Sequence, residues 1–259
     1  MLVDSHCHLD HFQGEERDAV VARAKEAGVA EMVTIGTRLG AQAATVREIA
    51  DSYDGVFATV GIHPHNAAEH PIPSVEEILR EADHPRVIGI GESGLDYFYD
   101  KAPRPVQAEN FRVHIHAARE SGLPLVIHAR DADDDIAAIL EDETGKGAFP
   151  FLLHCFSSGA ELARTGLRLG GYVSFSGMLT FPKSDAIRAV AAEVPAERLL
   201  VETDSPYLAP VPLRGKRCEP AYVAHTAARL ASVRGMGVAA LAELTTGNFH
   251  RLFQRSRRA

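Results

Sequence analysis

The sequence predicts an α/β protein folded as a single-domain (β/α)8 TIM barrel over residues 1–259. Three observations carry that expectation. Short apolar runs alternate with longer segments of helical spacing. The runs number eight and are nearly all apolar, as strands of a helix-covered parallel sheet are. No linker, low-complexity stretch or break in composition divides the chain. An open doubly wound sheet would normally have fewer strands, and no Gly-rich phosphate loop follows the first run.

In chain order the strand runs are LVDSHCH (2–8), MVTIGT (32–37), VFATVGIHP (56–64) and VIGIGES (87–93). LVIHAR (125–130), FLLHCF (151–156), GYVSFSG (171–177) and LLVETDS (199–205) complete the set. Helical spacing is clearest over Glu15–Ala27, Gln107–Ser121, Ala132–Glu143 and Tyr222–Ser232, with Gly28, Gly122 and Gly170 as helix stops.

Composition narrows the function classes. Hydrophobic residues make up 46% of the chain, enough for a large core, yet no run of about 18 apolar residues spans a membrane. No basic segment followed by an apolar stretch opens the chain, so no signal peptide is expected. Three cysteines (Cys7, Cys155, Cys218) argue against a disulfide framework and for a reducing, cytoplasmic setting. A net charge of −8 weighs against a general nucleic-acid binder while leaving room for an enzyme with a local basic mouth. A monomer is expected.

Polar residues stand where the runs end. The first ends with His6 and His8, the third with His63 and the fourth with Glu92. The fifth ends with His128, the sixth with His154 and the eighth with Glu202 and Asp204. In a barrel the C-terminal strand ends converge on one face, which carries the chemistry. Side chains alternate along a strand, so His6 and His8 point together while Cys7 points toward the helices. The HIH at 114–116 differs: two residues along a helix is about 200° of rotation, so His114 and His116 cannot chelate together. A lone buried histidine is usually a hydrogen-bonded core residue, and a lone carboxylate is usually half of an ion pair. Four histidines and two carboxylates among these eight strand-end residues are different, because buried charges must be paired or bind metal. Six ligands exceed one tetrahedral zinc and suit two divalent cations sharing a carboxylate.

The stretches DSHCHLD, GIHPH, GESGLDY, LHCFSS, GYVSFSG, ETDSPYL and RGKRCEPAYV fall in one order across residues 4 to 223. Gln107, Phe111 and His114 precede PLVIHARDA in the same series. With them the sequence closely resembles the TatD family of metal-dependent hydrolases, within the amidohydrolase-like barrels. The resemblance implies that His6, His8, Glu92 and Asp204 hold one cation, and that Glu92, His128 and His154 hold the second. It implies an Mg2+-dependent deoxyribonuclease, with Zn2+ or Mn2+ also compatible with the histidine-rich set. Ser93 and Cys218 stand where an aliphatic residue or Thr and an Asn are common; neither replaces a metal ligand, and Cys218, in the loop after the last strand, is placed where it could alter substrate contacts.

The expected reaction is two-metal hydroxide attack on a phosphodiester. Asp204 and Glu92 are its catalytic carboxylates, and Asp204 doubles as proton acceptor. His63 is expected to bind phosphate or protonate the leaving oxygen. Arg130 is either a phosphate fork or a partner that orients a carboxylate. Tyr97 is placed with substrate, and Asp96 and Tyr97 near a metal-binding histidine. Arg38, Lys101, Arg104, Lys183, Arg214, Lys216 and Arg217 form a modest basic collar, partly cancelled by acidic neighbours. The Arg-rich end RLFQRSRRA is expected to be a frayed terminus at the opposite face. The expected partner is single-stranded DNA or frayed ends, with RNA as a further substrate. Two alternatives stay open on one scaffold: hydrolysis of a small phosphoester, lactone or amide, and a metal-stabilised structural protein.

Overall fold

The computed structural model describes residues 1–257. The eight strands are β1 (Leu2–Cys7), β2 (Val29–Thr34), β3 (Val56–Val60), β4 (Val87–Asp96), β5 (Leu125–Arg130), β6 (Phe151–Leu153), β7 (Tyr172–Phe175) and β8 (Leu199–Val201). The α-helices are α1 (Glu15–Glu26), α2 (Ala41–Ser52), α3 (Val75–Ala82), α4 (Arg104–Ser121), α5 (Asp133–Gly145), α6 (Ala160–Arg168), α7 (Asp185–Glu193), α8 (Val223–Val233) and α9 (Val238–Leu252). Consecutive strands pair in parallel in the order β1 to β8. A bridge between Cys7 and Ser205 brings the last strand back to the first. This is the single-domain (β/α)8 barrel that the alternation of runs predicts. Among the described residues, no helix is long and apolar enough to cross a membrane.

The seam between β1 and β8 is held largely by side chains. Asp4 accepts from the Thr203 amide at 2.8 Å and from the Thr203 hydroxyl at 2.6 Å. Ser5 donates to the Val201 carbonyl at 3.0 Å. Burial pushes the Asp4 carboxyl up to about 8 despite the donors from Thr203.

The strands sort their side chains with period two. Leu125, Ile127, Phe151, Leu153, Leu199 and Val201 pack outward with the helices, while Val126, Leu152 and Leu200 belong to a separate cluster inside the barrel. Two residues beyond each inner apolar residue stands a polar one: His128 after Val126, His154 after Leu152, Glu202 after Leu200. The barrel interior is therefore layered, apolar below and titratable above. Glycine makes one close contact feasible. At Gly94 (φ +149°) a Cβ would run into the His128 carbonyl, so only glycine lets β4 lie against β5 there.

Three expectations need correction. β2 begins three residues before the expected run, because Glu31 interrupts its apolar pattern; Glu31 faces His250 of α9 at 3.4 Å. The runs at 151–156 and 199–205 are regular strands only over their first three residues; beyond them the His154 and Glu202 amides still reach the Ile127 and Phe175 carbonyls, each at 3.1 Å, before the chain turns away. The C-terminal segment through Arg257 does not fray. Phe249, Leu252 and Phe253 join the inner cluster and close the barrel's N-terminal end. Arg255 donates to the Ala82 and Val87 carbonyls at 2.9 and 2.8 Å. That end does lie opposite the strand C-termini, as expected; residues 258–259 lie outside the described residues.

Because Phe253 is a fully buried plug, Phe253→Ala is expected to cost about 3–5 kcal/mol in urea unfolding. A change below about 0.5 kcal/mol, typical of surface positions, would show a detached tail.

Candidate metal centre

Glu92 lies at the middle of the titratable layer and is almost wholly buried. Its Oε1 is 2.7 Å from His154 Nε2, 2.8 Å from His128 Nδ1 and 3.4 Å from His63 Nε2. Its Oε2 is 3.4 Å from His6 Nε2. Asp204 completes the other side, with Oδ1 at 3.4 Å from His8 Nε2 and 3.6 Å from His6 Nε2. The rings of His6 and His154 stack at 3.9 Å. Five of the six residues singled out at the strand ends, His8, Glu92, His128, His154 and Asp204, thus line one cavity of about 580 Å3, and buried His6 packs on Glu92 and His154, although some 200 residues separate the first from the last.

Chain direction explains each placement. The register of β1 breaks between Asp4 and Cys7. Val3 fills the inner cluster, yet Cys7, four residues on, packs with the helices. The irregularity turns His6 and His8 to the axis. Asp204 sits in a left-handed turn (φ +60°) whose amide donates to the His6 carbonyl at 2.9 Å, so the seam itself positions the carboxylate.

The donor set fits divalent cations, on three grounds. Neither ring nitrogen of buried His6 has a hydrogen-bond partner, nor has His8 Nδ1, a costly arrangement unless a ligand takes those lone pairs. His128 and His154 each reach Glu92 with one nitrogen and a second carboxylate with the other: Asp96 at 2.9 Å for His128 and Glu202 at 3.2 Å for His154. A carboxylate behind a histidine fixes its tautomer and frees the other nitrogen for metal. Finally, His6–His8–Glu92 and His63–Glu92–His128 each hold their ligand atoms within 4.8 Å of one another, with Glu92 common to both.

Charge is balanced by proximity. Burial alone would raise Glu92, but the imidazoles around it, His154 foremost, hold its carboxyl well below the usual range. Burial would lower His154; Glu92 and Glu202 outweigh it and hold the ring well above the ordinary histidine value. His128 is raised against burial by hydrogen bonds to Asp96 and Glu92. His8 is raised against burial by Asp204.

His63 and Arg130 also line the cavity. His63 Nδ1 accepts from the His65 amide at 3.0 Å, which leaves its proton on Nε2, directed toward Glu92. Burial pushes His63 down to about 4. Arg130 stacks on Phe98 at 4.4 Å and on Tyr99 at 5.4 Å, and among the described residues no carboxylate pairs with it. Tyr97 lies outside this cavity: its hydroxyl donates to Asp135 at 2.6 Å and it lines a neighbouring one. Cys218 is fully buried under the rim, away from the cavity, so it does not reach substrate. Ser93 is likewise turned away, accepting from Asn110 of α4 at 3.2 Å.

His114 is a core residue, as a helical HIH predicts. It donates to Asn110 O at 2.7 Å and accepts from the Ile62 amide at 2.9 Å, fixing the chain just before His63. Sequence reasoning left Glu202 without a role and passed over His65, which meets Asp96 at 2.8 Å. The acidic pair at 202 and 204 was the available signal for the former. Arg38 and Lys101 of the expected collar line the cavity, but Arg38 is engaged by both oxygens of Glu69.

A family model described as TatD related DNase matches residues 3–254. The uncharacterized metal-dependent hydrolase YabD of Bacillus subtilis (strain 168) is 39% identical over 255 residues, covering 98% of this chain and 99% of its own. The 3'-5' ssDNA/RNA exonuclease TatD of Klebsiella pneumoniae (strain 342) is 35% identical over 245 residues, 92% of each chain. The crystal structure of YJJV, a TatD homologue from Escherichia coli K12, has a TM-score of 0.89 at 28% identity, over 98% of both chains.

Two outcomes are expected. Glu202→Gln should weaken divalent-cation affinity about 10–100-fold in isothermal titration, through loss of the carboxylate behind His154; unchanged affinity would remove Glu202 from the site. Raised pKa values leave His154, His128 and His8 holding protons in the cation-free protein above the ordinary histidine value. A cation must displace those protons, so affinity should rise with pH through that range and fall below it. Titration in two buffers of different ionisation enthalpy should show proton release, and identical heats would contradict it.

Proposed function

The chain is a metal-dependent hydrolase of the TatD-related DNase family, and from that premise we propose that it is an exonuclease cleaving phosphodiester bonds of single-stranded DNA. The observation that carries this reading is the shared carboxylate: Glu92 lies between two sets of nitrogen ligands, an arrangement suited to a pair of cations. The substrate class is supported by the activity in the name of the Klebsiella relative, which extends to RNA. It is supported also by Arg130, a guanidinium at the cavity wall with no carboxylate partner among the described residues and a shape matched to phosphate.

In this reading His6, His8, Glu92 and Asp204 would hold one divalent cation, and Glu92, His128 and His154 would hold the other. Such a pair supplies water of lowered pKa and neutralises the charge that builds on phosphoryl oxygens. The remaining work falls to the chain. Asp204, held as a carboxylate by His8 and His6 against its burial, accepts a proton from the attacking water. His63 directs its Nε2 proton into the cavity, where it meets a phosphoryl or leaving oxygen. Asp96 and Glu202 keep His128 and His154 in the tautomers that ligation requires. Arg130 grips the phosphate, its plane fixed by Phe98 and Tyr99.

The test is cleavage of 5'-labelled single-stranded DNA in Mg2+ or Mn2+. Asp204→Asn should lower kcat about 10³-fold, and His63→Ala about 10²-fold. Equal degradation by wild type and Asp204→Asn would identify a contaminant and end the nuclease reading. Inactivity of the wild type on DNA, with turnover of small esters or amides, would move the substrate to that class.

A further inference from the structure

Half-exposed aromatic rings are rare on this surface, and their location is not scattered. Among the described residues the exposed large hydrophobic side chains include three aromatics, Phe98, Tyr99 and Tyr207, each 51–55% exposed. Tyr99 and Tyr207 line the metal cavity. Phe98 lines a second cavity of about 720 Å3 that opens beside the first and shares Arg130, Ser157 and Met178 with it. The two cavities adjoin along this shared wall, and the titratable cluster lies in the first.

The rings are braced. Tyr207 meets His8 and His11 at 6.2 and 5.9 Å, tilted by 71° and 79°. On the other rim Tyr99 meets His65 at 5.2 Å and 82°. Phe98 stands at 88° to Tyr99, and Arg130 packs over both. Held at steep angles to their neighbours, the rings keep roughly half their surface in water, which costs solvation unless a flat partner covers them.

We infer that Phe98, Tyr99 and Tyr207 are stacking stations for the bases on either side of the scissile phosphate, which makes the enzyme selective for unstacked nucleic acid. The inference rests on the nuclease reading and narrows it. A small ester would fill the metal cavity and leave the second one empty, whereas a polynucleotide needs both. The charge of the second cavity sets which part of the nucleotide enters it. Asp131, Asp133, Asp134 and Asp135 outnumber Arg130 there, so phosphate is repelled and a base is admitted. Stacking tolerates any base, because each has a π-face. A duplex end fits only after fraying, since paired bases are already stacked on one another.

The experiment measures KM for a labelled single-stranded 12-mer, and for the same oligonucleotide with tetrahydrofuran (base-less) residues beside the scissile bond. Phe98→Ala, Tyr99→Ala and Tyr207→Ala are each expected to raise KM about tenfold on the base-bearing strand. The conservative Phe98→Tyr, Tyr99→Phe and Tyr207→Phe should stay within about twofold, since the ring and not the hydroxyl stacks. On the base-less strand Tyr207→Ala should match the wild type, and the penalties of Phe98→Ala and Tyr99→Ala should shrink to the part that loosening Arg130 contributes. Wild-type cleavage with unaltered KM in all three alanine variants, or an equal penalty on the base-less strand, overturns the stacking stations and leaves the nuclease reading standing. Failure of the wild type to cleave either strand overturns the nuclease reading and this inference with it.

Discussion

One buried carboxylate governs the upper half of this barrel. Glu92 lies within 2.7 to 3.4 Å of four imidazoles from four other strand ends, which compensate its charge. Isolated, it would be neutralised by a raised pKa. Surrounded, it stays ionised and dictates where His6, His63, His128 and His154 must stand. Those positions in turn fix the second ring of carboxylates, because His128 and His154 each need an acceptor on their far nitrogen, which Asp96 and Glu202 provide.

Such a cluster is expensive for the fold, and the rest of the barrel is arranged to carry it. Below it lies an apolar layer closed by α9 and the buried Phe253. At the seam, Asp4 and Thr203 replace the regular ladder so that His6, His8 and Asp204 face one another across β1 and β8. Stability and chemistry are thereby separated along the barrel axis, with packing at the strand N-termini and charge at their C-termini.

The architecture and the six strand-end residues were legible because period-two alternation carries from Val126 to His128 and from Leu152 to His154 without interruption. Other features were hidden for identifiable reasons. The β1 register break leaves no mark in VDSHC, where local alternation predicts the right facing for His6 and His8 while missing that Val3 and Cys7 lie on opposite sides. Glu31 disguised the start of β2 by its charge. The C-terminal arginines read as solvated, but Arg255 caps backbone carbonyls and Phe253 drives the segment inward. Cys218 sits near the mouth in sequence yet is buried, and Tyr97, tied to Asp135, lines the neighbouring cavity rather than the one around Glu92, since a loop residue's direction depends on partners that no local pattern reveals. Glu202 was visible as a strand-end acid, but its role became clear only once His154 was seen across the axis.

The central claim is that Glu92 is shared by two cations, and diffraction at the manganese absorption edge tests it most directly. Crystals equilibrated with Mn2+ should give two anomalous peaks, one bounded by His6, His8 and Asp204, the other by His128 and His154, with Glu92 touching both. A single peak, or peaks with Glu92 outside coordination distance, would contradict the account.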